Sequence, residues 1–252
     1  MFFPNPISIT GPIENGNFFK NFMKELSILV ESTGENDDIT VCINSHGGDT
    51  HIALGIYDLL RACPRKTVGI VVGTAQSSAS LILQGCTKRY MTAHSTLMLH
   101  RSRINVCGSV ENVQASVEVF RRQDEQFYAI YAEKTKKNVI LIRGMAHRDL
   151  HLTANEAVEA GLADEVLGRD EGCRKPHPGV TENLISRLTI QELDLSVRTH
   201  NCLELGANIQ TLQQLLEKTP KDLLKIEGFG KKSLREIQHK LAEIGYKLKE
   251  YT

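Results

Sequence analysis

A serine, a histidine and an aspartate stand in this sequence in settings that suit nucleophilic catalysis. Ser77 lies in GTAQSSAS, where a β-branched run gives way to a small-residue helix, so we expect its hydroxyl at the positive end of that helix. His100 ends a predicted strand, and Asp149 lies on a predicted loop. A base that reaches a hydroxyl, with an acid that fixes the imidazole tautomer, forms a Ser-His-Asp relay. The three residues are therefore candidates for an acyl-transfer site.

Each of these residues also has a plain structural explanation. Ser77 taken alone can be an N-cap, because serine is a favoured capping residue. The small residues around it count against that explanation, since they allow a substrate backbone to come close. Taken alone, His100 can be a structural histidine and Asp149 a solvated loop acid. The sequence by itself does not place the three side chains together.

A glycine pair follows a strand earlier in the sequence, in the segment NSHGG at residues 44–48. Glycine permits a positive φ and lets backbone amides point into a cleft. The amides of Gly48 and Ser78 are therefore candidates for an oxyanion hole. The alternative is an ordinary turn between a strand and a helix.

The elements that must position these residues alternate between strand and helix patterns. Hydrophobic patterning and turn signals predict strands over 7–9, 39–44, 67–72, 89–92 and 96–100. They predict helices over 18–31, from Gly48 to near Pro64, over 77–84 and over 110–137. The last helix carries apolar residues on one face, at Val113, Val117, Phe120, Phe127 and Tyr131. This order predicts an α/β domain built from parallel βαβ units with right-handed crossovers.

One change of composition divides the sequence. Residues 168–181 combine glycine, two prolines and dense charge without an apolar period, which is typical of a linker. The sequence thus predicts an α/β domain over 1–167 and a small all-helical domain over 182–252. Lys+Arg and Asp+Glu both total 30, and residues 180–252 hold eleven of the former and ten of the latter. Net charge therefore indicates neither a nucleic acid nor a membrane as partner.

Other sequence features predict the compartment and the absence of a metal. The apolar runs are far shorter than the ~20 residues that span a bilayer, and residues 1–16 lack the parts of a signal peptide. We expect a cytoplasmic location, with an organelle stroma as the alternative. The six cysteines have no CxxC spacing, so we expect free thiols. His147 and His151 would share a face only if their segment were helical, and we expect a polar loop there with no metal or other cofactor.

Four segments taken together resemble the Clp protease proteolytic subunit, over about residues 7–167. They are INSHGGD, GTAQSSAS, LMLH and RDLHLTANEAVEAGLADEV, which follow in that family's order at similar separations. The resemblance implies a Clp/crotonase-like fold and a serine endopeptidase that cleaves peptide substrates through an acyl-enzyme. It makes Ser77 the nucleophile, His100 the general base and Asp149 the orienting acid. It makes the amides of Gly48 and Ser78 the oxyanion hole.

The same resemblance implies partners. The family's subunits assemble into heptamer-type rings and work with an AAA+ unfoldase, so the resemblance implies a ring of one or several kinds of subunit. His46, Ser78 and Arg101 stand where the family usually has proline, methionine and glutamine, which puts substrate preference in question. Ile7 already aligns with the family's first core strand, and this leaves docking to an unfoldase open.

The C-terminal helical region carries a second recognisable pattern over residues 226–234. An apolar residue, a Gly-x-Gly hairpin and a helix that opens with Lys-Lys-Ser are typical of a helix-hairpin-helix. Such a hairpin aims backbone amides and two ammonium groups at one place, where a phosphate is the natural ligand. The alternative is a compact module that binds another protein.

Residues 188–249 resemble the C-terminal domain of the bacterial-type RNA polymerase α subunit. In that family the matching positions form the surface that meets DNA, with an arginine in the minor groove of A·T-rich sequence. Here these positions are Arg198, Asn201, Cys202, Gly230, Lys232, Ser233 and Glu236. His200 replaces a smaller residue beside this set. The resemblance implies A·T-rich DNA or transcription factors as partners.

Two classes of function follow from these features. The first is a Clp-type serine endopeptidase with a tail that binds DNA or transcription factors. The second is a regulatory or DNA-binding protein that uses the Clp fold as an oligomeric scaffold. Ser77, His100 and Asp149 are all present, which favours the enzyme, because a scaffold has no need to retain the three.

Overall fold

A computed structural model describes residues 6–147, 149–168 and 188–250, and their contacts divide into two compact units. The N-terminal unit contains residues 6–136 and 149–168 of the described ranges. The C-terminal unit contains residues 137–147 and 188–250. Nearly all of the predicted linker, from residue 169 onward, lies outside the described residues.

The N-terminal unit alternates strands and helices along the sequence. Its strands are β1 (Ile7–Thr10), β2 (Ile39–Ser45), β3 (Thr67–Gln76), β4 (Lys88–Thr92), β5 (Thr96–Leu99), β6 (Leu150–Thr153) and β7 (Glu165–Leu167). Its helices are α1 (Asn15–Ser32), α2 (Thr50–Ala62), α3 (Ser78–Gly85), α4 (Val110–Thr135) and α6 (Ala154–Glu159). Between α4 and α6 lies α5 (Val139–Ala146), which belongs to the C-terminal unit.

The strands form one sheet in the order β1-β2-β3-β4-β7, with β5 paired to β3 and to β6. All pairs are parallel except β5 with β6. The first half of β3 pairs with β4 and its last residues pair with β5, where Thr74 faces Thr96 and Gln76 faces Met98. The parallel sheet confirms the predicted α/β fold with βαβ units, followed by a helical region.

The core of this unit follows from strand and helix patterning. In β2, Ile39, Val41 and Ile43 are buried and alternate with less buried residues, so one face of the strand packs fully. Burial of each such residue contributes about 1.5–3 kcal/mol. Every residue of α3 is buried, which its small and aliphatic side chains permit. The sheet and α3 therefore flank Ser77, the one residue between β3 and α3, with well-packed elements.

A buried polar cluster joins α3, β4 and the turn before β7. The guanidinium of Arg89 donates to Gln84 Oε1 at 2.6 Å, to the carbonyl oxygen of Gly161 at 3.0 Å and to Asp164 Oδ1 at 2.6 Å. The Arg89 side chain is only 10% exposed. The Gln84 amide donates in turn to the carbonyl oxygen of Leu162 at 3.1 Å. A buried cation is thus surrounded by acceptors from three parts of the sequence.

The structure differs from the predicted elements in several places. Strand β3 runs to Gln76, four residues beyond the predicted end, because Gly73 takes a φ of +100° and the backbone then extends into pairing with β5. Helix α4 ends at Thr135 rather than 137, where Lys136 turns left-handed with a φ of 55°. Of the five apolar positions predicted on its face, only Tyr131 is buried, and the others are half-buried. Prediction from sequence missed α5, β6 and β7.

The C-terminal unit is helical apart from short turns and connections. Besides α5 it contains a 3-10 helix (Ile190–Leu193), α7 (Val197–Asn201), a π-helical turn (Cys202–Gly206), α8 (Leu212–Leu216), α9 (Pro220–Leu224) and α10 (Lys231–Glu243). Serine or threonine caps begin α7, α8 and α9, since the hydroxyls of Ser196, Thr211 and Thr219 accept from backbone amides. The helices surround a core that includes Leu203, Leu212, Leu223, Ile237 and Leu241.

Helix α5 is part of this same core. Ile140 joins the buried apolar cluster, and a Cβ added at Gly144 would lie 1.7 Å from Leu188 Cδ2. The side-chain amide of Asn138 donates to the carbonyl oxygen of Glu243 at 2.9 Å. Helix α5 therefore precedes the predicted linker in sequence and packs with helices that follow it.

The structure also bears on the predictions about membrane spans and cysteines. No helix in the described ranges is long and apolar enough to cross a bilayer. Cys42, Cys63, Cys86, Cys107 and Cys202 are free thiols, and Cys173 lies outside the described residues.

Candidate active site

Ser77 occupies a sharp turn between β3 and α3. Its backbone has a φ of 53° and a ψ of −124°, and a non-glycine residue in such a conformation is costly, by about 1–3 kcal/mol. The Ser77 amide donates to the carbonyl oxygen of Met98 at 2.8 Å, which ties the turn to β5. The hydroxyl does not cap α3. The turn is thus held by the sheet, and it leaves the side chain of Ser77 to another partner.

That partner is His100, one residue beyond the end of β5. Its Nε2 lies 2.8 Å from Ser77 Oγ, within hydrogen-bond distance. Burial lowers the pKa of His100 below its ordinary value, against an opposing effect of the Asp149 carboxylate. A lowered pKa keeps the imidazole neutral at pH 7, and a neutral Nε2 can accept the proton of a hydroxyl. The pair has the geometry and the charge state of a nucleophile and its base.

Asp149, the third predicted member, is nearby but does not hydrogen-bond to His100. Its Oδ2 accepts from the guanidinium of Arg103 at 2.5 Å. This hydrogen bond holds the pKa of Asp149 below its ordinary value. The Nδ1 of His100 is buried and has no hydrogen-bond partner in the part of the protein that the structure describes. The structure therefore brings Ser77 and His100 together and leaves the His100–Asp149 contact open.

The segment after His100 determines where Arg103 lies. The amide and hydroxyl of Ser102 both donate to Asp124 Oδ1, at 3.1 and 2.6 Å, so the segment is fastened to α4. Prediction from sequence missed Arg103. The available signal was a cation three residues beyond the candidate base, where a guanidinium can reach an acid of the same site.

The glycine pair lies against the turn that carries Ser77. A Cβ added at Gly47 would lie 2.6 Å from the carbonyl oxygen of Gln76 and 3.0 Å from Ser77 Cβ, and its φ of +92° also favours glycine. The hydroxyl of Ser78 donates to the carbonyl oxygen of Gly48 at 2.8 Å. The two predicted oxyanion positions, Gly48 and Ser78, therefore lie side by side. The Ser78 amide is in the first turn of α3, where amides have no helical partner.

The histidines considered for a metal are not arranged as one site. His147 follows α5 and pairs with Glu192 at 3.4 Å, whereas His151 lies in β6. They do not share a helical face. Across the described ranges, no group of three or more His, Cys, Asp or Glu side chains could hold a metal ion.

In the C-terminal unit, five of the seven predicted DNA-contacting residues line one cleft of about 580 Å³. These five are Arg198, Gly230, Lys232, Ser233 and Glu236, and Ser196, Thr199 and Lys231 complete the lining. Arg198 is exposed and donates to the carbonyl oxygen of Gly228 at 3.2 Å. Lys231 and Lys232 are exposed at the start of α10. Three cations thus line the cleft.

The other predicted residues of this surface have different settings. Ser233 is buried, and its hydroxyl lies within hydrogen-bond distance of the Thr199 hydroxyl, at 2.9 Å. Glu236 accepts from the hydroxyls of Ser196 and Thr199, at 2.8 and 2.6 Å, so it holds the start of α7 against α10.

Asn201 and Cys202 do not line the cleft. Asn201 is exposed at the end of α7, and Cys202 is half-buried beneath Gly228. His200, beside them, pairs with Glu204 at 2.7 Å. The exposed residues of the predicted surface are therefore Arg198, Asn201, Gly230 and Lys232.

Comparison with known proteins assigns both parts of the sequence to families. Residues 3–170 match the family model described as Clp protease. Residues 180–243 match the model for the C-terminal domain of the bacterial RNA polymerase alpha subunit.

Individual relatives match the N-terminal part. The ATP-dependent Clp protease proteolytic subunit of Bacteroides fragilis is 28% identical over 153 residues, which are 60% of this protein and 74% of that one. The protein of the same name from Porphyromonas gingivalis is 27% identical, over 61% of this protein and 70% of its own length. ATP-dependent Clp protease proteolytic subunit 3 of Rhodococcus jostii is 30% identical, over 66% and 83%.

Proposed function

Because this protein belongs to the Clp protease family, we propose that it is a serine endopeptidase in which Ser77 is the nucleophile and His100 the general base. The observation that carries the proposal is the 2.8 Å contact between Ser77 Oγ and His100 Nε2, at a turn that the sheet holds in place. Asp149 is the proposed orienting acid, and the amides of Gly48 and Ser78 are the proposed oxyanion hole.

The reaction proceeds in two halves on these groups. His100 Nε2 takes the proton of Ser77 as Oγ attacks the carbonyl carbon of the scissile peptide, and the carbonyl oxygen becomes an oxyanion that accepts from the two amides. The imidazolium then gives its proton to the leaving amine nitrogen, and an acyl-enzyme remains on Ser77. A water molecule, deprotonated by His100, then attacks the ester carbonyl carbon. The bond between that carbon and Ser77 Oγ breaks, the imidazolium returns its proton to Oγ, and the acid product leaves. Asp149 contributes to both half-reactions when it accepts a hydrogen bond from His100 Nδ1–H, because this bond fixes the tautomer of the imidazole.

Labelling by a fluorophosphonate probe tests the nucleophile directly. We expect the folded full-length protein to be labelled at Ser77, with the site identified by mass spectrometry of the digested protein. The same protein in urea serves as the control, because an unfolded serine has no base beside it and should not react. Label at another residue, or equal labelling of the unfolded protein, would contradict the proposal.

We further propose that the protein works as a heptamer-type ring that receives polypeptide from an AAA+ unfoldase. The support is the family relationship and the name of the relatives, which describes each as a subunit of an ATP-dependent protease. We also propose domain boundaries near residues 167 and 182, because the Clp protease match ends at residue 170 and the polymerase-domain match begins at residue 180.

For the C-terminal unit we propose binding of A·T-rich DNA through Arg198 and the start of α10. The cleft lined by Arg198, Lys231 and Lys232 supports an anionic ligand, and the match to the polymerase domain supports DNA. A transcription factor is the second candidate, because the charges of residues 180–252 nearly cancel. With so few cations the salt dependence should be shallow, about −0.9 in log K against log salt for each phosphate contact.

Arg198→Ala should weaken binding of A·T-rich duplex by the full-length protein about tenfold or more, because an arginine in a groove contributes about 1–3 kcal/mol. Anisotropy with a labelled duplex at low salt measures this. Arg235→Ala is the matched control, since Arg235 is exposed on α10 but does not line the cleft. Equal affinities of wild type and Arg198→Ala would instead indicate a surface that docks protein.

A further inference from the structure

The carboxylate of Asp149 is held by a residue that the catalytic mechanism does not use. Its Oδ2 accepts from Arg103, while the buried Nδ1 of His100 has no hydrogen-bond partner among the described residues. A buried polar nitrogen without a partner is costly, by about 1–3 kcal/mol. The site thus combines a formed Ser77–His100 pair with an unfilled position beside the imidazole.

The position of Arg103 is built into the segment that follows the base. Ser102 is fastened to Asp124 of α4 through both its amide and its hydroxyl. The next residue therefore starts from a fixed point, and its long side chain reaches Asp149, which immediately precedes β6. Arg103, which binds the Asp149 carboxylate, lies only three positions after His100, which the mechanism pairs with that carboxylate.

We propose that Arg103 is a positioning residue that withholds Asp149 from His100 in the resting protein, and that activation requires transfer of the carboxylate from Arg103 to the imidazole. The proposal rests on the function proposed above. In the resting arrangement His100 can still accept a hydroxyl proton, but nothing fixes its tautomer. In the active arrangement Asp149 accepts from Nδ1–H, and the imidazolium formed during acylation is stabilised.

The Arg103–Asp149 pair is weak enough to break and re-form reversibly. The two side chains are 74% and 40% exposed, and exposed pairs are screened by water and salt. Loss of such a pair changes an equilibrium by about two- to fivefold. Salt or a competing carboxylate can therefore shift Asp149 toward His100 without unfolding the segment.

Removal of Arg103 is the direct test. In the full-length protein, Arg103→Met should raise the rate of fluorophosphonate acylation at Ser77 about two- to fivefold, because the carboxylate is freed. Added salt should raise the wild-type rate and leave the variant rate nearly constant. Arg122→Met is the matched control: Arg122 is an exposed arginine that pairs with Glu118 on α4, and its loss should not change the rate.

The pH profile distinguishes positioning from a general effect on structure. The charged groups that act on His100 are Asp149, Arg103 and Asp124, and those that act on Asp149 are Arg103, His100 and His151. Arg103→Met removes a cation and frees an anion, and both changes raise the pKa of His100. Because acylation needs the neutral imidazole, the acid limb of its profile should move to higher pH. Asp149→Asn in the same background should cancel the gain in rate and the part of the shift that the freed carboxylate causes.

Two outcomes would overturn this inference: a rate and pH profile unaffected by Arg103→Met, or a rate lowered by it. NMR of the histidine side chains measures the pKa of His100 without requiring catalysis. In ¹⁵N-histidine NMR, with His100 assigned by His100→Gln, the pKa of His100 should be higher in Arg103→Met than in wild type. The part of this rise that Asp149→Asn removes in the Arg103→Met background reports the freed carboxylate, and its absence would overturn the inference. If no probe ever labels Ser77, the proposed function fails, and this pair of titrations still decides whether Arg103 withholds Asp149.

Discussion

Ser77→Ala should lower kcat/KM for a fluorogenic peptide by about 10⁴-fold or more, because loss of the nucleophile removes the acyl-enzyme route and leaves only binding and oxyanion stabilisation. The protein should remain folded, since the Ser77 hydroxyl bonds to His100 and not to the structural framework, although the positive φ of Ser77 is costly for alanine as well. Circular dichroism of the purified variant confirms the folded state.

Ser78→Ala provides the matched comparison. Its hydroxyl donates to the carbonyl oxygen of Gly48, but the proposed oxyanion donor is its amide, which alanine retains. We expect a loss of about tenfold or less, the size of one neutral hydrogen bond. If Ser77→Ala and Ser78→Ala were equally active, or if both kept the wild-type rate, Ser77 would not be the nucleophile.

Arg89→Met should lower the free energy of unfolding by about 1–3 kcal/mol, the cost of leaving a buried polar group without its hydrogen-bond partner. The variant removes the guanidinium donor from the side-chain carbonyl oxygen of Gln84 and from the carbonyl oxygen of Gly161. Asp164 loses its contact with the guanidinium and keeps the backbone amide of residue 89 as a donor, at 2.8 Å. Arg61→Met is the control, because Arg61 pairs with Glu133 at 3.6 Å on an exposed surface and should contribute about 0–1 kcal/mol. Urea unfolding at pH 7 measures both, and equal losses would contradict the prediction.

The contact between Arg89 and Asp164 predicts that the stability of the protein depends on pH. Burial alone would raise the pKa of Asp164, but the hydrogen bonds and charge of Arg89 outweigh it, and the pKa lies below its ordinary value. A carboxyl with a depressed pKa contributes stability above its unfolded pKa of about 3.9, and that stability is lost as pH falls through the folded pKa. The difference between wild type and Arg89→Met should therefore shrink below about pH 4. A difference that stayed constant down to about pH 2 would show that Asp164 is not its source.

Strong local patterns made much of the fold predictable. The β-branched run that forms most of β3 and the small-residue helix α3 place Ser77 at their junction, and both can be seen in the sequence. Helix α5 could not be predicted in this way, because VILIRGMA is apolar on nearly every side and has no period. The short strands β6 and β7 gain their stability from neighbours rather than from their own residues.

The candidate site was predictable in its residues but not in its contacts. The order of Ser77, His100 and Asp149 along the sequence, together with the glycines before them, indicates which groups belong together. The partner of the Asp149 carboxylate depends on the path of residues 101–109, which carry no helical or strand period. Whether the Asp149 carboxylate bonds to Arg103 or to His100 depends on where the two side chains lie. The hydrogen bonds from Ser102 to Asp124 fix the segment that carries Arg103.

Membership of α5 in the C-terminal unit sets an order for biosynthesis. The apolar residues around Ile140 are synthesised roughly 100 residues before α10, which at about 5–20 residues per second is a delay of roughly 5–20 s. During that delay the nascent polypeptide displays Ile140 without the residues of the C-terminal core that cover it. A polypeptide that stopped at the linker would keep Ile140 uncovered, which would make this part of α5 a binding site for chaperones and a marker of incomplete synthesis.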